Sequence, residues 1–206
     1  MLEIWGRITS INVRKVVWAA QEVGVPFEHI NAGGKFGVVD TPEYLRMNPN
    51  GLVPLLRDGS YRLWESNSIV RYLGAKYAPG SFYPEALEPR FDAERWMDWQ
   101  QTRLNPAGRD AFVQLVRVPA AERDPGRIAR SVAQMEPLLA LVDDHLSRQP
   151  FMVGEHFTMA DIPIACDVHR WWGLPLPRPE WPHLARWYAG ILARPATRGV
   201  LDIVLE

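Results

Sequence analysis

The stretch Asn48-Pro49-Asn50-Gly51-Leu52-Val53-Pro54, followed eleven residues after Pro54 by Glu65-Ser66, decides the fold. A proline just inside a strand cannot donate a ladder hydrogen bond, so Pro54 predicts an edge strand. A cis peptide bond at this position would turn the Val53 N–H and C=O outward, where an extended peptide ligand could pair with them. We therefore expect Val53 and Pro54 to form part of a peptide-binding edge.

Glu65 and Ser66 stand at the start of a predicted helix. Glu65 offers a carboxylate to an ammonium group, and Ser66 offers its hydroxyl and the helix-start N–H groups to a carboxylate. The pair suits the zwitterionic end of a γ-glutamyl group. The alternative is purely structural, with a turn at residues 48–54 and a helix cap at Glu65-Ser66.

Upstream of this stretch, the sequence predicts a β-α-β unit. Residues 2–5 read as a short strand, and residues 12–23 carry apolar side chains at helical spacing until Gly24 ends the helix. Residues 25–30 form a second run of β-branched and aromatic residues. One right-handed crossover fits within that length.

Downstream of an irregular stretch at residues 33–42, the pattern predicts a hairpin and a helix. Residues 53–57 and 62–64 flank the turn pair Asp58-Gly59, and the helix runs from residue 66 to about residue 77. The order β-α-β, loop, β-β-α is the thioredoxin-like layout.

The second half of the chain predicts a helix bundle. Three prolines in residues 78–89 mark a linker at residues 79–88, so we expect an α/β thioredoxin-like domain at residues 1–78 and an all-α domain at residues 89–206. Helical patterns recur in the second domain at residues 91–104, 124–146, 158–172 and 183–193. Thr158 and Asp161 predict a capping box, with Phe157 and Ile162 as its hydrophobic staple.

Ser10 and Asn12 lie where the first strand meets the first helix. Unpaired N–H groups and the positive end of the helix dipole favour an anion there, and a thiolate held at this point would be stabilised. The alternative is that either residue is only the N-cap of the helix, a role that both residue types fill well.

Composition excludes several classes of function. The net charge is -1, with 23 basic and 24 acidic side chains spread along the chain, so we expect no nucleic-acid partner and no membrane partner. No leader pattern or long apolar stretch is present, which predicts a cytoplasmic protein. The single cysteine, Cys166, excludes a disulfide framework, and we expect it to be a core residue and the protein to need no metal.

Taken together, these motifs resemble the glutathione transferases, and the resemblance covers nearly the whole chain. It is closest to the bacterial theta-like and nu-like groups. The matching sequence motifs are Ser10-x-Asn12-x-x-Lys15-Val16, Asn48-Pro49-Asn50-Gly51-x-Val53-Pro54, Glu65-Ser66-Asn67-Ser68-Ile69-x-x-Tyr72-Leu73 and Gly154-x-x-Phe157-Thr158-Met159-Ala160-Asp161-Ile162.

The resemblance implies that glutathione is the co-substrate and lies along the Val53-Pro54 edge. Ser10 would donate a hydrogen bond to the thiolate, with Asn12 assisting or substituting. Relatives often carry a basic residue where this chain has Leu52, which leaves Lys35 to hold the glycine carboxylate.

The implied activity is conjugation of the glutathione thiolate to a small hydrophobic electrophile, as in detoxification, by a homodimer. The residues implied to contact the electrophile are Ile8, Trp99, Arg103, His169 and Trp172. Three alternatives remain at this point: glutathione-dependent reduction of disulfides or peroxides, isomerisation with glutathione as cofactor, and a non-catalytic binding or scaffold protein.

Overall fold

A computed structural model describes all 206 residues of the chain. The chain divides into two compact units. The first comprises Met1–Tyr83 and Ala196–Val204, and the second comprises Pro84–Pro195 and Leu205–Glu206. Residues 196–204 are therefore part of the first unit, although they lie far from the rest of it in sequence.

The first unit contains one mixed sheet of four strands in the order β2-β1-β3-β4. Strand β1 pairs parallel with β2 and antiparallel with β3, and β3 pairs antiparallel with β4. This confirms the thioredoxin-like layout. The elements are β1 (Leu2–Trp5), α1 (Ile11–Glu22), β2 (Phe27–Ile30), α2 (Pro42–Met47), β3 (Leu55–Asp58), β4 (Tyr61–Trp64) and α3 (Ser66–Tyr77).

Helix α1 buries the apolar stripe that its sequence predicts. Val13, Val16, Val17 and Ala20 recur at helical spacing, and all four are buried. The helix ends just before Gly24, whose φ of 68° is a left-handed conformation that glycine adopts without strain. The residues between these four are buried as well, so α1 is enclosed on more than one side.

Helix α2 was not predicted: it begins at Pro42, where the predicted irregular stretch ends, and continues to Met47. The Thr41 side chain caps this helix by accepting from the Tyr44 N–H at 3.3 Å, and Pro42 occupies its first turn. A helix of six residues is too short for its periodicity to be recognised in sequence.

The Val53–Pro54 peptide bond is cis, as predicted. The edge-strand prediction was wrong, however, because β3 is paired on both sides, with β1 and with β4. Pro54 is tolerated next to an interior strand because it precedes Leu55, the first paired residue of β3.

The second unit contains helices only. They are α4 (Leu87–Trp99), α5 (Asn105–Phe112), α6 (Pro125–Leu146), α7 (Asp161–Trp172) and α8 (Pro182–Leu192). Two π-helical turns, Gln100–Leu104 and Val113–Arg117, follow α4 and α5. The helix predicted at residues 91–104 therefore begins earlier and continues through α5, because a π-helical turn rather than a break precedes Pro106. No helix combines the length and apolar character that a bilayer crossing requires.

Candidate functional site

Ser10 occupies the N-cap position of α1, with extended backbone angles (φ -76°, ψ 124°). Its carbonyl accepts a hydrogen bond from the Arg14 N–H at 2.9 Å. Its hydroxyl makes no capping hydrogen bond to the helix. Ser10 is therefore at the N-cap without using its side chain as a cap, and the hydroxyl is available to another group at the positive end of the helix.

Asn12 and Ser66 are brought together by the packing of α1 against α3. The buried Ser66 hydroxyl lies 3.3 Å from the Asn12 side-chain oxygen, to which it donates. Two motifs separated by 54 residues in sequence thus share one place in the first unit. The sequence identified both residues but not this contact between them.

Glu65 has a strained backbone and an exposed side chain. Its φ of 71° is uncommon for a residue other than glycine, and it stands at the N-cap position of α3 without capping the helix. Such strain, of the order of 1–3 kcal/mol, is found most often at functional sites. The predicted ligand role of Glu65 is consistent with a carboxylate that has no structural task within the helix.

The Val53 backbone is presented by a loop that is anchored one residue earlier. The Leu52 carbonyl accepts from the Tyr44 hydroxyl and from the Asn48 side-chain amide, both at 2.7 Å. Burial raises the pKa of Tyr44 to about 12, so its hydroxyl keeps its proton at neutral pH. Val53 lies outside the strand ladder, and neither its N–H nor its C=O is paired within the chain.

Thr9 is a polar residue of the site to which the sequence analysis assigned no role. Its hydroxyl is buried and has no hydrogen-bond partner within the chain. Unpaired buried hydroxyls are uncommon because they cost free energy. In the sequence, only the position of Thr9 directly before Ser10 indicated that it could belong to the site.

Lys35, the predicted carboxylate ligand, lies on a short turn at Gly34–Phe36 and is exposed. Its ammonium group sits 5.5 Å from the centre of the Phe36 ring.

Of the residues predicted to contact the electrophile, Ile8 is half-buried and its carbonyl accepts from Arg14 Nε at 3.2 Å. Trp99 is half-buried at the end of α4, and its ring meets that of Trp96 edge-on at 5.2 Å. Arg103 is exposed on the π-helical turn that follows.

His169 and Trp172, near the end of α7, form a cluster with Tyr188 of α8. His169 Nδ1 and the Tyr188 hydroxyl are 2.7 Å apart, and the Trp172 ring stacks on that of Tyr188 at 4.9 Å. Tyr188 could not be identified from the sequence, because no local pattern connects a residue of α8 with residues of α7.

Asp161 makes one hydrogen bond of the predicted capping box, but the N-cap of α7 is Ala160 rather than Thr158. Its carboxylate accepts from the Thr158 N–H at 2.9 Å, as predicted, while the Thr158 hydroxyl accepts from the Ala160 N–H. The same carboxylate also accepts from the Met152 N–H at 3.0 Å and from Trp187 Nε1 at 2.9 Å. Burial raises the pKa of Asp161 to about 6, against the opposing effect of these donors.

Cys166 is buried in α7, as predicted for a core residue.

Three features define the glutathione transferase class. They are a thioredoxin-like unit whose first helix starts with an unused hydroxyl, a cis-proline loop in that unit and an all-helical second unit. Residues 1–75 match the family described as Glutathione S-transferase, N-terminal domain. Residues 125–190 match Glutathione S-transferase, C-terminal domain. The chain belongs to the glutathione S-transferase family and is a transferase of this class.

Among its relatives, Glutathione S-transferase GstB of Escherichia coli (strain K12) is 41% identical over 205 residues, which are 98% of this chain and 99% of the relative. Among solved structures, the theta class glutathione S-transferase from Xanthomonas axonopodis pv. citri with glutathione bound has a TM-score of 0.96. It is 47% identical and covers 100% of this chain and 99% of the other. The apo form has a TM-score of 0.87 at 42% identity, with coverage of 100% and 98%.

Proposed function

We propose that the protein conjugates the glutathione thiolate to a small hydrophobic electrophile, with Ser10 as the donor that stabilises the thiolate. The observation that carries this proposal is the Ser10 hydroxyl, which stands at the start of α1 and does not cap the helix. A thiol with a pKa of about 8.5 is only a few per cent ionised at neutral pH. Lowering that pKa by about two units needs roughly 2.7 kcal/mol, which one charge-assisted hydrogen bond and a helix terminus can supply.

In this proposal Asn12 assists Ser10, and the backbone of Val53, beside Pro54, pairs with the cysteine residue of glutathione. The unpaired N–H and C=O of Val53 support this role. The nucleophile is the sulfur of glutathione, so the thiolate needs stabilisation rather than a protein base.

The electrophile would contact the residues identified in the sequence, Ile8, Trp99, Arg103, His169 and Trp172. The two aromatic clusters support an apolar substrate, since Trp99 and Trp172 are both only partly buried. We further propose a role in detoxification in the cytoplasm, the compartment in which glutathione keeps thiols reduced.

Calorimetric titration with glutathione, oxidised glutathione and S-hexylglutathione tests the proposal without requiring the natural electrophile. Binding of glutathione and tighter binding of S-hexylglutathione are expected, because the hexyl chain occupies the place of the apolar electrophile. A preference for oxidised glutathione would favour disulfide reduction instead. No binding of any of the three would leave a scaffold function.

Substitutions at the start of α3 test the γ-glutamyl assignment. We expect Glu65→Ala and Ser66→Ala each to raise the Kd for glutathione by about tenfold or more, since each removes a hydrogen bond to a charged group. Calorimetry measures the effect. Glu28→Ala, which removes an exposed carboxylate from β2, is the matched control and should leave the Kd unchanged. Unchanged affinity in both α3 variants would refute the assignment.

We propose that the protein acts as a homodimer, with the start of α4 in the interface. Leu87 and Phe91 lie one helical turn apart on α4, and they are 64% and 59% exposed. Two large apolar side chains on one face of a helix are suited to contact with a second copy.

We expect Phe91→Asp to raise the dimer dissociation constant at least about thirtyfold, because it places a charge within an apolar contact. Sedimentation equilibrium measures the constant. Leu192→Asp on α8 introduces the same charge at another exposed leucine and should leave the dimer intact. A dimer unaffected by Phe91→Asp would exclude this part of α4 from the interface.

A further inference from the structure

Arg7 lies beside the proposed glutathione site but has no role in the proposal so far. It follows Gly6 in the loop between β1 and α1, and its N–H donates to the Ala32 carbonyl at 2.9 Å. The side chain is half-buried, yet its guanidinium forms neither a hydrogen bond nor an ion pair within the chain. A guanidinium carries five donors and a permanent charge, so one held partly out of water without a partner suits an anionic ligand.

Two glycines make room for this guanidinium. A Cβ added to Gly34 would lie 3.2 Å from Arg7 Cδ and Nε and 3.3 Å from Cζ. A Cβ added to Gly33 would lie 3.2 Å from Arg7 Nη1. The side chain therefore lies flat against the Gly33–Gly34 backbone, and a larger residue at either position would crowd it.

The same geometry places Arg7 next to the peptide-binding residue of the site. The Cβ position of Gly33 that approaches Arg7 Nη1 is also 3.3 Å from Val53 Cγ1, so the guanidinium and the Val53 side chain flank one glycine. Val53 is the residue whose free backbone groups we propose to pair with glutathione. A ligand bound there would come within reach of Arg7.

The turn that contacts Arg7 favours an anion as well. The turn at residues 31–37 carries Lys35 and no acidic side chain, and it closes on itself through the Gly33 N–H to the Gly37 carbonyl at 2.8 Å. The position before Val53 is Leu52, which is 65% exposed and supplies no charge. Of these two cations, Arg7 is the one that lies against the backbone of Gly33 and Gly34, whereas Lys35 is exposed on its turn.

We infer that Arg7 binds a carboxylate of the molecule held at Val53, with its planar fork set against Gly33 and Gly34. A guanidinium can contact a carboxylate through two parallel hydrogen bonds, which gives both affinity and orientation. The carboxylate can come from the glycine end of glutathione or from an acidic electrophile. This inference rests on the proposed glutathione site.

The test uses the full-length protein and three variants. Arg7→Met keeps the apolar stem against the glycines and removes the charge, whereas Arg7→Lys keeps a charge without the fork. Arg62→Met, at the β3–β4 hairpin, is the control for loss of one arginine charge in the same unit. An unchanged midpoint of thermal unfolding verifies that Arg7→Met is folded.

Two matched pairs of probes separate the sources of the carboxylate. The first pair is glutathione and its glycine amide, compared by calorimetry. The second is a chloronitrobenzoate and the corresponding chloronitrobenzamide, compared by kcat/KM at saturating glutathione. We expect Arg7→Met either to raise the Kd of glutathione or to lower kcat/KM for the benzoate by about tenfold, with little change for the matching amide. Arg7→Lys should recover part of the loss.

A selective loss with glutathione assigns the site to its glycine end, and a selective loss with the benzoate assigns it to an acidic electrophile. Equal losses for carboxylate and amide in both pairs, or no loss in either, would overturn the inference while the wild-type protein still binds glutathione. Failure of the wild-type protein to bind glutathione would instead overturn the proposed function and this inference together.

Discussion

We expect Ser10→Ala to lower kcat/KM for glutathione conjugation at least about tenfold, which corresponds to about 1.4 kcal/mol of lost transition-state stabilisation. The reason is the loss of the proposed hydrogen bond from Ser10 that would hold the sulfur as a thiolate at the start of α1. The measurement is the initial rate with an activated aryl chloride, together with the pH dependence of that rate. The pH midpoint should move upward in the variant, since the bound thiol would ionise less readily.

The Ser10 variant should fold as well as the parent protein. Because the hydroxyl makes no capping hydrogen bond, its removal should change the free energy of unfolding by less than about 0.5 kcal/mol. Ser60→Ala, at the exposed β3–β4 turn, is the matched control for rate. If Ser10→Ala leaves the rate and its pH midpoint unchanged, thiolate stabilisation belongs to Asn12 or to Thr9, whose buried hydroxyl has no partner.

The second large effect is expected at Asp161, on stability rather than on catalysis. Asp161→Ala should lower the free energy of unfolding by about 3 to 5 kcal/mol, because it leaves buried donors without an acceptor. These donors are the N–H groups of Met152 and Thr158 and the indole N–H of Trp187. Urea unfolding at pH 8 measures the loss, since the carboxylate predominates well above a pKa of about 6.

Asp144→Ala is the control for Asp161. Asp144 is an exposed partner of Arg148 on the surface of α6, and exposed ion pairs contribute at most about 1 kcal/mol. Both variants should be compared at one protein concentration, because the stability of the proposed dimer would depend on it. A loss at Asp161 no larger than that at Asp144 would show that these buried hydrogen bonds contribute little.

The sequence predicted hydrogen bonds of Asp161 only at the start of its own helix. The structure adds two hydrogen bonds from other parts of the second unit. A capping box follows from the spacing of Thr158 and Asp161, since both ends of the motif lie within one helical turn. The hydrogen bonds from Met152 and Trp187 come from a loop before α7 and from α8. Spacing within one helix start could not predict them, because they depend on how α8 packs.

Two further differences between the predicted and the observed elements arise where a few residues decide the outcome. Helix α2 was missed because six residues show no reliable period, although Thr41-Pro42 was a usable capping signal. The edge-strand prediction for Pro54 failed because one residue decides the outcome, with Pro54 outside the ladder and Leu55 inside it. Sequence patterns locate strand ends less accurately than they locate strands.

The sequence by itself determined the order of the strands and of the two long helices in the first unit, the helical nature of the second and the residue types of the proposed glutathione site. These follow from periodicity, turn chemistry and motif spacing, all of which act over a few residues. Only the tertiary structure decided that Ser66 meets Asn12, that Arg7 lies against Gly33 and Gly34 beside Val53, and that residues 196–204 join the first unit. These contacts join distant parts of the chain, and they form only because burying the apolar faces of the surrounding helices and strands outweighs the entropy lost in bringing those parts together.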